Sequence, residues 1–458
     1  MFKDKNYIEI ASMDELTKTA LQKVVKYHAM QQKPRLEKLM KYYKGQNTEI
    51  MRKPRTTDKP DNRIANPYAR EIVDMITGVF ISNPIRYSSD DKEALLNLQV
   101  VNELNEEHYH NMTLAKHVSI YSIGAEVMFL DENAEIRFAV VDPTTVIPVY
   151  STGIVRDLIG AIRYYTVEDI EDSKDDKKYI EVYRKECTLT YQDVNGAIKL
   201  IDEQPNYFGR PALNVYYSGE EEISDIEPVL SLIDSYDRLM SETDNLYSYF
   251  ADAYLVFSGV DMLDMEEVKN MKENRIIMME NEQSSVQFLT KQTDSASLKD
   301  HFDRIKNNIY KFSYCIPIDE TVFGNDVSGT ALKYRLTQIL QLTTARERMF
   351  TQAINKRIEM IFKVLGIKGK QLDPTIIKQT YTPNIPANDT ELVNIASALT
   401  GIVSKETILG ILPMVEDIEE ELKRIEEENA MDNALIDPYR GIEMGVPEEE
   451  DNEIPPKE

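Results

Sequence analysis

The chain has 458 residues, 53 Lys+Arg against 79 Asp+Glu, and a formal net charge of −26. At 29% charged and 42% hydrophobic it is expected to be globular and soluble, with a substantial core and roughly two to four domains. Modest Gly and Pro counts exclude collagen-like and low-complexity chains, and the acid surplus excludes a protein that grips phosphates through excess cations.

Cys187 and Cys315 lie far apart with no CxxC spacing, so neither a disulfide framework nor a structural zinc site is indicated. The opening MFKDKNYIEIASMDEL lacks the apolar centre of a signal peptide, and no run of about 18 apolar residues occurs, so no transmembrane helix is expected. The expected setting is a reducing cytosol, or something assembled there. Charge is uneven: Lys18 to Arg70 carries 14 basic and 4 acidic residues, Gly219 to Asn274 carries 15 acidic and 3 basic, and Glu416 to Glu458 carries 17 acidic and 4 basic. Such blocks mark separate surfaces or, as the plainer alternative, three solvated faces.

In chain order, Asp14 can cap a helical run through Leu16, Leu21, Val24 and Tyr27, and Pro34 starts a second run through Leu36, Leu39 and Met40 that ends at Gly45. After the loop KPRTTDKPDN, Asn66-Pro67 opens a helix with Ile72, Val73, Ile76 and Val79 on one side, and residues 90–122 continue at helical periods. A series of short strands follows: Val127–Leu130, Ile136–Val141, Ile147–Tyr150, Leu158–Tyr165, Tyr179–Tyr183, Leu189–Tyr191, Ile198–Ile201 and Leu213–Tyr217. Their connections are too short for crossover helices, which predicts antiparallel pairing and an α+β region.

Ile226, Leu230, Ile233, Met240, Tyr247 and Phe250 then form one stripe of a long helix. Strand candidates Tyr254–Phe257, Ile276–Met279 and Val286–Leu289 precede a second helix marked by Leu298, Phe302, Ile305, Ile309 and Phe312. The loop DETVFGNDVSGT leads into a third helix from Ala331 to about Leu365, with Phe350, Ile354, Ile358, Ile361 and Leu365 on one face. VEDIEEELKRIEEE is a last amphipathic stretch before a Pro- and Glu-rich end expected to be disordered.

Enzyme signatures are missing. The sequence contains no GxxxxGK[ST], no GxGxxG after a strand, no HExxH and no GxSxG. His108, His110 and His117 form the nearest metal-like cluster, but ligand sites carry three or four convergent donors, so no metal and no cofactor is expected. GNDVSG could cradle a phosphate with its amides, or serve only as a connector. Carboxylate pairs are too plentiful to single out a catalytic one.

Five stretches, taken in order, resemble the portal proteins of tailed bacteriophages, the head–tail connectors of long-tailed phages of Gram-positive hosts. They are KLMKYYKGQN with DNRIANPYAREIVDMITGVFISNPIRY; SIYSIGAEVMFLDENAEIRFAVVDPTTVIPVY; DIEPVLSLIDSYDRLMSETDNLYSYFADAYLVFSG; IPIDETVFGNDVSGTALKYRL; and GIVSKETILGILPMVEDIEEELKRIEEE. The likeness spans roughly residues 30 to 430.

The resemblance implies an α+β portal fold: a wing from residues 1–222 and 332–385, two stem helices within 223–252 and 297–318, a small β-containing clip at 253–296, a long wing helix, and a helical crown at 386–430. A candidate tunnel loop at 319–331 (in particular Thr321–Thr330, with a kink near Thr343-Thr344 as second choice) and an acidic tail at 431–458 complete it. It also implies a ring, normally a dodecamer, at one capsid vertex of the virion, assembled in the host cytoplasm and conducting double-stranded DNA during packaging and ejection. Implied partners are the terminase large subunit, the head–tail adaptor, scaffold and major capsid protein, with no membrane and no catalysis by the chain itself.

A conducting wall should not hold phosphates, because each cation–phosphate contact hinders every step. Asp234, Asp237, Glu242 and Asp244 on the first stem helix are therefore candidate wall residues, Lys306 and Lys311 on the second are candidates for a sparse basic ring, and Phe323, Asn325 and Asp326 are candidates from the tunnel loop. The alternatives from other classes are a metal-dependent DNA nuclease or phosphodiesterase using Asp and Glu ligands, and an adaptor whose acidic tail binds basic proteins.

Overall fold

A computed structural model describes residues 5–52, 60–168, 177–194, 196–250, 254–258, 285–289, 295–317, 329–384, 396–412 and 418–436, with positions 266, 269 and 415. The chain divides into two compact units, Met1–Asn384 and Ile385–Glu458.

The first unit begins with strand β1 (Ile8–Ile10) and helix α1 (Lys18–Tyr43). Thr17, not Asp14, caps α1, its Oγ1 accepting the Ala20 N–H at 3.3 Å. Pro34 does not divide two helices: it lies inside one helix of 26 residues. The buried positions Leu21, Val24, His28, Gln32, Leu36 and Leu39 keep a step of three or four straight across it, so burial of one continuous stripe outweighs the backbone hydrogen bond that proline removes.

Helices α2 (Tyr68–Ile81), α3 (Lys92–Leu104) and α4 (Glu107–Tyr121) follow, with a short strand β2 (Arg86–Ser88) between the first two. Then come β3 (Ile123–Leu130), β4 (Ile136–Val141), β5 (Val146–Ser151), β6 (Leu158–Val167), β7 (Lys177–Tyr183), β8 (Cys187–Val194), β9 (Ala197–Pro205) and β10 (Leu213–Tyr217). All eight expected strands are present, most of them longer than their apolar kernels. They build two sheets. One has the order β1-β5-β6-β7-β8-β9 and the other the order β10-β3-β4. Every pairing among the eight is antiparallel, whereas β1 joins β5 in parallel, Ile8 opposite Val149.

α1 covers the larger sheet. Its Leu21 and Val24 pack with Ile8, Ile147, Val149, Ile162, Ile180, Val182, Leu189 and Ile198, the inward residues of a period-two alternation. Within this contact His28 is fully buried, with Nδ1 at 2.9 Å from the Tyr164 hydroxyl and Nε2 at 2.9 Å from Asn6 Oδ1. Burial, with the Lys33 charge adding to it, lowers the His28 pKa to about 3.

The smaller sheet is held by the long helix α7 (Gly329–Ile367), numbered after α5 (Leu230–Phe250) and α6 (Ser295–Phe312). Phe350 meets the rings of Phe80 on α2 and Tyr216 on β10, each at 5.0 Å between centroids. Arg357, 1% exposed, sets Nε at 3.1 and 3.0 Å from the two oxygens of Glu126, Nη2 at 2.8 Å from Oε2, and Nη1 at 2.9 Å from Asn111 Oδ1. Glu126 also accepts from His110 Nε2 (2.7 Å), Asn214 Nδ2 (2.9 Å) and the Tyr216 hydroxyl (2.7 Å). Burial alone would raise the Glu126 carboxyl, but Arg357 and the His110 hydrogen bond overcome it and hold it well below the usual carboxylate range. Arg346, also 1% exposed, grips Asp225 bidentately at 2.8 and 2.6 Å.

Gly124 is where β3 comes closest to α4: an added Cβ would sit 3.1 Å from the Leu114 carbonyl oxygen and 3.1 Å from Val118 Cγ2. A second small pair, β13 (Lys378–Thr380) on β2, completes the unit after β11 and β12, described below. In the second unit, α8 (Lys405–Ile411) is capped by Ser404, and α9 (Ile418–Ile436) runs six residues into the segment expected to be disordered.

Two predictions follow from these buried groups. Arg357→Met leaves Glu126 buried without its cation and should cost about 3–5 kcal/mol in urea denaturation; a cost under about 1 kcal/mol would mean that the pair does not anchor α7. The folded-state pKa of His28 lies below its unfolded value, so its contribution to stability is full above about 6.5 and is lost as pH falls toward 3. His28→Gln should therefore flatten the fall in Tm between pH 6.5 and 4.

Candidate functional site

The stretch from Ile226 to Phe312 is built as two helices joined through a strand pair. A 3₁₀ turn at Glu227–Val229, with Pro228 in its first turn, leads into α5. β11 (Tyr254–Ser258) and β12 (Ser285–Leu289) pair antiparallel, Tyr254 opposite Leu289 and Ser258 opposite Ser285, and return the chain to α6. The strand candidate Ile276–Met279 lies outside the described residues. α6 packs back on α5, with Tyr236 edge-on to Phe302 at 5.3 Å. Tyr68 at the start of α2 meets Tyr236 at 5.1 Å and Tyr310 at 6.0 Å, and the Tyr310 hydroxyl donates to Glu71 Oε1 at 2.8 Å. Aromatic edges thus tie both helices to α2.

A polar seam ties α5 to the segment before α2. Asp237 is fully buried. Its Oδ1 accepts the Asn66 backbone N–H (2.9 Å) and Nδ2 (2.8 Å), and its Oδ2 accepts Asn47 Nδ2 (2.8 Å). Ser241 Oγ accepts the Ile64 N–H at 2.9 Å, Asn245 Oδ1 accepts the Asn62 N–H at 2.5 Å, and Asn62 Nδ2 donates to Ser248 Oγ at 2.8 Å. Residues 62–66 are laid along three turns of α5 by side chains spaced four, four and three apart. Burial raises the Asp237 carboxyl above its ordinary value despite the three N–H donors.

This geometry corrects part of the sequence reading. Asp237 is not an intervening residue on α5: it falls four after Ile233 and three before Met240, on the apolar stripe itself, and is buried against Asn47 and Asn66. Asp234 is half-buried and accepts the Tyr42 hydroxyl from α1 at 2.5 Å. Glu242 and Lys311 are exposed, and Asp244 and Lys306 are half-buried. Phe323, Asn325 and Asp326 lie outside the described residues. At Thr343 and Thr344 the helical assignment of α7 continues, and both hydroxyls donate back to the Leu340 carbonyl, at 3.1 and 2.8 Å.

His110 Nε2 is engaged by Glu126, and burial keeps its imidazole below the usual histidine pKa, hence neutral. His117 rests edge-on against Tyr121 at 5.6 Å. Among the described residues no group of three His, Cys, Asp or Glu side chains converges as a metal site, and no helix is long and apolar enough to cross a membrane.

The family model and the two curated relatives agree at the level of family. A family model described as "Phage portal protein, SPP1 Gp6-like" matches residues 22–434. The portal protein of Bacillus phage SPP1 is 26% identical over 456 residues, covering 92% of this chain and 87% of that protein. The portal protein of Clostridium phage phiCD119 is 27% identical over 408 residues, covering 83% of this chain and 88% of that one. Among solved structures, a chain from the neck of the native GTA particle computed with C12 symmetry aligns at a TM-score of 0.45 and 11% identity, over 76% of this chain and 90% of that chain. A chain from the virion of the native gene transfer agent particle aligns at 0.44 and 11%, over 82% and 93%.

The α5 seam makes its own prediction. Asp237→Ala strands the buried Asn47 donor and two half-buried Asn66 donors and should cost about 2–4 kcal/mol in urea denaturation. Glu242→Lys, on the exposed side of the same helix, should stay within about 0.5 kcal/mol of the parent. Equal costs would mean that the two faces of α5 are misassigned.

Proposed function

The chain belongs to the SPP1 Gp6-like family of phage portal proteins, and from that premise we propose that it forms a closed homo-oligomeric ring, a dodecamer, whose lumen conducts double-stranded DNA into and out of the capsid. As a portal protein it is a component of the bacteriophage virion with a role in genome packaging. The finer reading is carried by one observation: α5 and α6 pair with each other, stand on the wing through the α5 seam and the Tyr68 cluster, and carry an antiparallel strand pair where they join.

In this reading α5 and α6 are the stem, β11–β12 belongs to the clip, and residues 386–430 contribute the crown. The clip docks the terminase large subunit during packaging and the head–tail adaptor afterwards. Scaffold and major capsid protein meet the ring during assembly in the host cytoplasm. ATP hydrolysis belongs to the terminase, and the chain itself is a conduit rather than an enzyme.

The lumen charge resides on Glu242 and Asp244 of α5, with Lys306 and Lys311 of α6 as sparse cations. The α6 ion pair between Arg304 and Asp300 (2.9 Å) is exposed on both sides and leaves little net field. A wall of this composition repels the duplex enough to keep it mobile, because few cations are available to condense on its phosphates.

Negative-stain imaging and mass measurement of the purified protein should reveal rings of about twelve subunits; monomers or dimers under every assembly condition would count against the proposal. Glu242→Lys with Asp244→Lys should leave ring formation intact while reducing packaged DNA by tenfold or more. Unchanged packaging would remove both residues from the lumen.

A further inference from the structure

A cavity of about 700 Å³ opens where α1 meets the segment that leads from β10 into α5, with Gln32 and Arg35 on one side and Glu221, Glu222 and Glu227 on the other. Two features set it apart from an ordinary surface cleft. Gln32 and Glu222 are 7% and 6% exposed, and Gln32 Oε1 and Glu222 Oε1 are buried acceptors with no hydrogen-bond partner. A buried acceptor left unpaired costs roughly 1–3 kcal/mol, so two of them in one cavity call for donors from outside the chain.

Charge selects the kind of donor. Three carboxylates face one guanidinium, and that guanidinium is already committed: Arg35 Nε and Nη2 each lie 2.6 Å from an oxygen of Glu227. Arg35 Nη2 also reaches the Glu222 carbonyl at 3.4 Å, which helps hold Glu222 at a positive φ of 54°, unusual for a residue with a Cβ. The Glu222 carboxylate itself has one partner, the Asn6 backbone N–H at 3.4 Å. Tyr27 adds an aromatic ring at the rim. We propose that this cavity is a binding site for a primary ammonium group, which donates to Gln32 Oε1 and Glu222 Oε1 and neutralises the carboxylate. The site does not depend on the reading of α5 and α6 as a channel stem.

Burial raises the Glu222 carboxyl to about 7, against the opposing pull of the Asn6 N–H and of Arg156, Lys5 and Arg35. Those cations face it from three elements, but Lys5 and Arg156 both bond the Tyr7 hydroxyl and Arg35 bonds Glu227. Tyr150 and Tyr217, on β5 and β10, and Glu221 and Glu227, on its own segment, complete the titratable surroundings. Because the folded-state pKa is raised, the stability held by the protonated form is complete below about 4.5 and is lost as pH rises through about 7. An ammonium that requires the ionised form therefore binds better as pH rises.

The ammonium has two available sources, a free amine or a lysine of a second copy of this chain. Ethylammonium chloride is the probe, against sodium chloride and tetramethylammonium chloride at equal ionic strength, since the last carries the charge without an N–H. Full-length protein at pH 8 should show a saturable Tm rise of about 1–3 °C with ethylammonium only. The apparent Kd should rise about tenfold between pH 8 and pH 6. Glu222→Gln should be more stable than the parent at pH 8, indistinguishable from it below about pH 5, and blind to ethylammonium; Gln32→Met should weaken the response without changing its pH dependence.

A response that is the same for all three salts, as when water molecules satisfy both acceptors, overturns the proposal. So does an ethylammonium response that survives Glu222→Gln. Assembled rings distinguish the sources: a response in both unassembled chain and rings supports a free amine, and a response lost on assembly supports a neighbour's lysine in the same site.

Discussion

Arg357 sits 1% exposed with two carboxylates, Glu126 and Glu107, within 3.5 Å of its guanidinium. A buried guanidinium is tolerated only where its charge and its donors are answered, and here β3 and α4 each supply part of the answer. The ion pair therefore fixes the rotation of α7 about its own axis. Arg346, eleven residues earlier and about 16 Å along the helix, is consequently aimed at Asp225, where the chain passes from β10 into α5. Ser119 of α4 closes the same junction by bonding both Asp225 and Ser224. One desolvated cation thus sets the geometry by which a distant pair of helices meets the body of the protein.

The same logic changes the meaning of the negative charge. Acidic residues between Gly219 and Asn274 do not share a single task. Glu126-like burial with a cation, Asp237-like burial among amide donors, and solvent-facing Glu242 are three different environments for one functional group. The surface charge is smaller than the sequence total, because some carboxylates are buried as hydrogen-bond acceptors for α1, α2 and the chain between them.

Much of this was legible beforehand. Alternation in Ile147–Tyr150 and Tyr179–Tyr183, and the 3–4 spacing from Phe350 to Leu365, placed strands and the long helix correctly because each buries one face. Pro34 misled because a local helix breaker was weighed without the stripe that continues on both sides of it. β1 and the β2–β13 pair were missed because three-residue strands carry no periodicity of their own. The buried charges did leave a trace: Arg346 and Arg357 fall on the period of Phe350, Ile354 and Ile361, just as Asp237 falls on that of Ile233 and Met240. A charged residue in phase with a core stripe signals a partner across the interface, yet sequence alone could not say that Glu126 on β3 was that partner.

β1 gives the amino-terminal residues an unexpected weight. By pairing in parallel with β5 it covers one edge of the six-stranded sheet, and Asn6 just before it meets both His28 and Glu222. Trimming the chain to residue 11 would bare that edge, remove a partner of the buried imidazole and open one wall beside Glu222 in a single cut. An affinity tag fused close to Lys5 would press on the same three places. For anyone preparing this protein, a shortened amino terminus is a change to the folded body and not the removal of a tail.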